Sequence, residues 1–403
     1  MSSTAKVALA CSGGLHTSFC VPYLINERHL EVHTVTVNTG GFSAEEVKSI
    51  EQRAKMLGAA SHTTVDATET YYQNGVKYLI FGNVLKNDTY PLSVSSERIF
   101  QAMEVLKFAK KIGADYVAHG STGAGNDQVR FDIVFDILAP EIKIIAPVRE
   151  LASTRQWETD YLKQHGFDFD WKKTRYSINQ GLWGTSVGGQ ETLVSDGTLP
   201  EEAYPSQAVK TGSEIVSIGF EHGEPVALNG ERMKPTALIR KLDGMAAPYG
   251  IGRDINVGDT IIGIKGRVGF EASAALIIIK AHHLLEKHVL TQGQLYWKGE
   301  LAGWYGKLMH EAQYLDPVMR NIEKFFDDAE RNVTGTVNVE LRPYHFFAQG
   351  ITSGYDMMSK GEYGEKSSYL TGNDIVGFTK VLANPMRIFY KVNKDAADEA
   401  ESL

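Results

Sequence analysis

Cysteine is scarce in this chain: 403 residues hold two, Cys11 and Cys20. They lie nine positions apart in apolar surroundings, which is not a metal-ligand spacing, and they exclude a disulfide framework. A reducing, cytoplasmic setting is the expectation. Long apolar runs are missing too. No stretch approaches the roughly 18 apolar residues that a membrane-spanning helix needs. The opening residues, MSSTAKVALACSGG, carry a short apolar run that leads straight into glycines, unlike a signal peptide. Blocks of Lys and Arg are absent, and 41 basic residues against 49 acidic ones give a net charge of −8. Nucleic acid therefore has little electrostatic footing. Neither the Walker lysine pattern nor GxGxxG occurs. His119, His282 and His283 have no second ligand at a metal spacing, so no protein-held metal centre is expected.

What is present is the composition of an ordinary soluble protein, 43% hydrophobic and 22% charged, long enough for two or three domains. The first third alternates strand and helix patterns. Strands are expected at Lys6–Cys11, Val32–Asn38, Ser61–Asp66, Asp115–His119 and Lys143–Pro147. Helices are expected at Thr17–Arg28 (bent near Pro22), from the Ser43–Glu46 capping box to Leu57, at Ser96–Ile112 and at Gly125–Leu138. Such repeats build an α/β fold, a parallel sheet with helices on both faces and ligands at the carboxyl ends of its strands. Beyond about residue 170 strands and helices mix as in an α+β domain, with a hairpin in NVTGTVNVELRPYHFFAQGI. The spans 1–170, 171–359 and 360–403 are read as a nucleotide-binding domain, a second domain and a C-terminal arm. The arm would carry an apolar helix, DIVGFTKVLANP, and a strand-like RIFYKV, and would dock on another subunit or on its own chain.

The segment ACSGGLHTS, Ala10 to Ser18, follows the first strand. Gly13 and Gly14 let backbone N–H groups face an anion, the next helix presents its N-terminus, and Ser12, Thr17 and Ser18 add hydroxyls. This loop resembles the pyrophosphate loop of ATP pyrophosphatases. A second segment, HGSTGAGNDQVRF (His119–Phe131), lies at the end of a later strand. Asn126 and Arg130 are four apart on a helix and so share a face.

Together with YSINQGLWGTS (176–186), LAPEIKIIAPVRE, GFEHGEPVALNG and RNVTGTV, these segments resemble argininosuccinate synthase, from the first strand to about residue 340. The resemblance implies a nucleotide-binding domain, a synthetase domain and an oligomerisation arm, usually in a homotetramer. It also implies a ligase that joins citrulline and aspartate using ATP with Mg²⁺ and releases AMP and pyrophosphate. By that resemblance ATP is expected at Ala10, Ser12, Gly13, Gly14, His16, Thr17, Ser18, Val37 and Gly120. Aspartate is expected at Thr122, Asn126 and Asp127, and citrulline at Tyr90, Ser95, Asn126, Arg130, Ser177, Ser186, Gly258 and Phe270. Asp127, Asn126 and Thr17 are expected nearest the chemistry, with Arg130 able to fork onto a carboxylate.

Four positions depart from the family pattern. His16 stands where the loop has Asp, and imidazole is a poor Mg²⁺ ligand. Ala124 stands where Lys is common. Gly258 and Phe270 stand where a Glu and a Tyr serve citrulline. Losing a carboxylate and a hydroxyl leaves a free α-ammonium without its partner, but suits a neutral, bulkier, acylated amine with Gly258 opening space. The expected substrate is then Nα-acylated citrulline, such as acetyl- or succinylcitrulline. Substitution by Asp254 or Asp259, or a one-residue slip of the alignment, is the alternative. Two other functions remain open: a nucleotide-binding relative without catalysis, which His16 and Ala124 favour, and a tRNA-modifying pyrophosphatase, which the acidic charge disfavours.

Overall fold

The computed structural model describes residues 4–169, 176–361 and 370–402. Five strands, β1 (Lys6–Ala10), β2 (Glu31–Asn38), β3 (Ser61–Asp66), β4 (Tyr116–Ala118) and β5 (Lys143–Ile145), form an all-parallel sheet in the order β3-β2-β1-β4-β5. The order reverses at β1, whose neighbours are β2 and β4, so a crevice opens above the carboxyl ends of β1 and β4. The pleat sends alternate residues of β1 to opposite faces. Val7 and Leu9 join Phe19, Leu24, Val32 and Leu162 on one side. Ala8 joins Val35, Phe100 and Phe135 on the other, in a core that continues to Ile218, Ile278 and Phe326.

The helix Leu15–Asn26 begins directly at Gly14 and runs through Pro22. The Ser43–Glu46 box caps the helix Ala44–Met56 as expected, and Gly113, in the left-handed conformation, ends the helix Glu97–Ile112. An unforeseen helical segment spans 68–81 with a π-helical turn at Tyr72–Val76. Its Asn74-Gly75 pair reads locally as a turn, but Tyr71, Tyr72, Val76, Leu79, Ile80 and Phe81 are all buried, and that packing decides.

The second part carries two antiparallel sheets. One has the order β11-β12-β7-β6, from β6 (Ser177–Gly181), β7 (Gly184–Gly188), β11 (Arg253–Asp259) and β12 (Lys265–Glu271). The other has the order β10-β9-β8-β13-β14, from β8 (Glu214–Glu221), β9 (Glu224–Leu228), β10 (Glu231–Arg232), β13 (Gly335–Arg342) and β14 (His345–Thr352). The last two form the expected hairpin.

Met1–Tyr355 is one compact unit and Asp356–Leu403 a second. The second unit corrects one expectation. RIFYKV is not a strand but lies in the helix Asn384–Val392, with Pro385 in its first turn. A lone six-residue strand would leave its backbone groups unpaired, whereas a helix pairs them internally and accepts proline at its start. Among the described residues no helix is long and apolar enough to cross a membrane.

Candidate active site

A cleft of about 1320 Å³ lies at the carboxyl ends of β1 and β4 and is closed from the other side by β6, β7, β11 and β12. The glycine loop forms one wall. Gly13 has φ +73°, and a Cβ there would meet Ile50 Cγ1 at 2.6 Å, so glycine is required on two counts. Gly120, after β4, lies so near the loop that a Cβ would sit 3.1 Å from both the His16 carbonyl carbon and the Thr17 nitrogen. The Ser12 and Thr17 hydroxyls lie 3.3 Å apart. Arg53 donates to the Gly13 carbonyl and holds the loop from behind.

His16 is not a free replacement for an acid. Its Nδ1 lies 2.7 Å from Oε2 of Glu158, a fully buried carboxylate whose other oxygen accepts from Ser153 Oγ at 2.7 Å. Glu158 is placed there by the helix Arg155–Gln164. Thr154 caps this helix, and its Trp157 and Tyr161 pack against Phe19 at centroid distances of 5.4 and 5.3 Å.

The opposite wall centres on Asp127, the first residue of the helix Asp127–Leu138. Its Oδ2 accepts from Arg98 Nε at 3.0 Å and its Oδ1 from Arg130 Nη1 at 2.8 Å. Burial alone would push this carboxyl up. The guanidinium charges of Arg98 and Arg130 outweigh it and hold it down at about 2. Asp127 still keeps 39% of its side-chain surface open to the cleft. Arg98 also donates to Glu97, whose other oxygen accepts from Thr39 at 2.6 Å. Burial raises the Glu97 carboxyl to about 7, with Arg98 pulling only partly the other way.

Almost all the expected site residues line this one cleft: Ala10, Ser12, Gly13, Gly14, His16, Thr17, Val37, Tyr90, Ser95, Gly120, Thr122, Asn126, Asp127, Arg130, Ser177, Ser186 and Gly258. Two do not. Ser18 is buried and turns its hydroxyl towards the Gly13 carbonyl. Phe270 is fully buried and packs behind Tyr90 at a centroid distance of 5.3 Å, supporting that ring instead of facing the cleft. Two others are partly engaged. Arg130 directs Nε and Nη2 to the His310 carbonyl oxygen at 3.1 and 3.0 Å. Asn126 accepts from the Ile261 N–H at 2.9 Å. Gly258 does not open empty space either. A Cβ there would meet Asn87 Nδ2 at 2.7 Å, because the Asn87 amide donates to the Val257 carbonyl alongside it. Of the two neighbouring carboxylates, Asp254 and Asp259, only Asp259 lines the cleft. It is paired with Lys265 at 2.8 Å.

The sequence reading missed Glu97, Arg98, Glu158, Asn256, His310 and Lys86. Each reaches the site through tertiary packing, and no local motif announces them. It also missed a buried cluster away from the cleft. His282, Glu286 and Glu330 come together with their ligand atoms within 4.8 Å of one another, and Lys298 forms ion pairs with both glutamates. The His282–Glu286 spacing of four was the available signal; Glu330 and Lys298 arrive from other helices.

Known proteins resemble this chain along nearly its whole length. Residues 6–168 match the argininosuccinate synthase N-terminal HUP domain and residues 176–389 the C-terminal domain of the same enzyme. The chain belongs to the argininosuccinate synthase family. It is 37% identical to the argininosuccinate synthase of Methanocaldococcus jannaschii over 92% of this chain and 94% of that one. Against the Xanthomonas campestris enzyme it is 37% identical over 97% and 100% of the two chains, and against the Pyrococcus furiosus enzyme 39% over 83% and 82%. Like its family, the chain is a ligase with a nucleotide-binding HUP domain.

Proposed function

We propose that this ligase condenses a citrulline-type ureido group with L-aspartate at the expense of ATP, through a citrullyl-adenylate, and that its citrulline carries an acyl group on the α-nitrogen. The observation that carries the first part is the meeting of the two predicted segments. The phosphate loop after β1 and the Thr122–Arg130 segment after β4 face one cleft, with Gly120 against Thr17.

In this reading the loop N–H groups with Ser12 and Thr17 hold the phosphates of ATP. The ureido oxygen attacks the α-phosphorus and pyrophosphate leaves. The aspartate amine then attacks the ureido carbon and AMP leaves. Asp127, held anionic by its two arginines, orients the aspartate nitrogen but is too weak a base to take its proton. Catalysis rests on positioning and on charge stabilisation. The carboxylates that flank the loop do not suit magnesium, since Glu46 accepts from the Ser43 N–H and Glu158 serves His16 and Ser153. Mg²⁺ would then be brought by ATP and would neutralise charge on the departing pyrophosphate. The Asp356–Leu403 unit is read as an arm for other copies in a homotetramer, because Val376, Phe378, Val381, Phe389 and Val392 are exposed along its helices.

The acylated amine is favoured by what surrounds Gly258: the adjacent Asp259 carboxylate pairs with Lys265, and a buried neutral acceptor, Asn256 Oδ1, has no partner among the described residues. The test is pyrophosphate release from Mg²⁺–ATP and aspartate with citrulline, Nα-acetylcitrulline or Nα-succinylcitrulline. Release with an acylated substrate at least tenfold above that with citrulline is expected, about 1.4 kcal/mol in transition-state binding. Equal or better use of free citrulline would sink the acyl reading, and no release with any of the three would sink the ligase reading.

A further inference from the structure

Lys86 lies in the loop between the helix Lys77–Phe81 and Tyr90, and its place is fixed by backbone pairing with Tyr90, its N–H to the Tyr90 carbonyl at 2.8 Å and the return bond at 3.0 Å. Its side chain lines the cleft, and its Nζ sits 3.5 Å from the point a Cβ on Gly258 would occupy. Among the described residues no carboxylate makes an ion pair with it. The charges that act on it are the carboxylates of Glu311 and Asp259 and, in the opposite sense, the cations Arg130 and Lys265. Partial burial pushes the Lys86 ammonium down from its ordinary value, with Glu311 and Asp259 pulling partly the other way.

The chemistry beside Gly258 is therefore inverted. The resemblance to the family implies a carboxylate there to receive an ammonium. This chain puts an unpaired ammonium there, which repels an ammonium and attracts an anion. Two residues earlier on the same face of β11, the buried Asn256 Oδ1 is an unpartnered acceptor suited to an amide N–H. The Ser95 hydroxyl, also buried and unpartnered, lines the same cleft. An amide N–H next to a group ending in negative charge would satisfy Asn256 and Lys86 together.

We propose that Lys86 reads a carboxylate at the far end of the acyl group, so that the substrate is the half-amide of a short dicarboxylic acid and not a simple acetyl derivative. This rests on the reading that the α-nitrogen is acylated. It makes Lys86 a specificity residue for the ligase reaction, and it means that a reaction transferring a dicarboxylic acyl group to the amine precedes this one. The substrate's own α-carboxylate is the competing ligand for the ammonium, and it is common to all three test compounds.

The experiment measures kcat/KM for Nα-succinylcitrulline, Nα-acetylcitrulline and citrulline with the full-length protein and its Lys86→Met and Lys86→Arg variants. The expected result is a succinyl-to-acetyl ratio of about 10 to 100, the usual range for a charge-assisted hydrogen bond. That ratio falls towards one in Lys86→Met and is largely kept in Lys86→Arg. A ratio near one in the unaltered protein overturns the role of Lys86 and leaves the acyl reading standing. Equal losses on all three compounds in Lys86→Met also overturn it and assign the lysine to the shared α-carboxylate. Preference for free citrulline removes the acyl reading and this inference with it.

Discussion

Nδ1 of His16 lies 2.7 Å from Oε2 of Glu158, and the pair ties the phosphate loop to a helix 142 residues further along the chain. The histidine is matched to a buried acid, so its position is not simply interchangeable with the family's aspartate. An aspartate at 16 would set two carboxylates against each other, one of them fully buried. H16D alone is expected to lower kcat/KM for ATP by about 10-fold or more, and H16D/E158Q to recover much of the loss, a coupling of roughly 1–3 kcal/mol. A four-protein cycle with H16D, E158Q and the double variant measures this. Strict additivity would show that the pair is incidental.

Asp127 has to remain charged if it orients an ammonium. Its carboxyl is held at about 2 against an ordinary 3.8, so it stays anionic across the working pH range. Its pairing stabilises the fold above pH 4, and that contribution is lost as pH falls through about 2. D127N removes the charge and leaves Arg98 and Arg130 facing an amide. We expect kcat/KM for aspartate to fall by about 30- to 1000-fold, with ATP binding changed far less, since a charge-assisted contact is worth roughly 2–4 kcal/mol when one partner is lost. Equal losses in ATP affinity would point to collapse of the wall instead.

Glu97 behaves in the opposite sense. Burial raises it from 4.5 to about 7, so the folded protein holds this proton more tightly than the unfolded chain. Stability from this group is full below about pH 4.5 and declines as pH rises towards 7 and beyond. Between pH 6 and pH 8 the loss is about 1 kcal/mol. E97Q cannot ionise and should flatten the slope, exceeding the parent at pH 6 and by a wider margin at pH 8. Urea midpoints at the two pH values decide, and parallel slopes would contradict the burial argument.

The parallel sheet and the cleft were legible because they rest on local signals: apolar runs at strand length, a capping box at Ser43, glycines at turns, and two motifs at strand ends. What escaped depends on distance in sequence. Glu158 reaches His16, His310 accepts from Arg130, and Lys86 meets Gly258 only because separate elements pack together. Ser18 and Phe270 show the same limit in reverse. Their spacing matches a binding pattern, while the backbone direction turns both into the protein. The arm's RIFYKV was misread because alternating bulky residues resemble a strand when the pairing partner is left unspecified, and Pro385 was the overlooked helix-start signal.

The buried group around Lys298 gives the sharpest test of stability apart from activity. His282, Glu286, Glu330 and Lys298 are all within 2% of full burial, so little water screens them. Lys298 balances two carboxylates, and desolvation, which lowers its own proton affinity, is opposed by Glu330. K298M would leave both acids uncompensated in the core, at a cost of roughly 3–5 kcal/mol. Replacing the ion pairs as a set is different, because uncharged groups of similar volume need no counter-charge. K298M/E286Q/E330Q should therefore recover a good part of that loss. Because the cluster lies outside the cleft, substrate KM values should hold in whatever folded fraction remains, while the denaturation midpoint of K298M drops. An unchanged midpoint for K298M would mean that the lysine is not the counter-ion of this pair of glutamates.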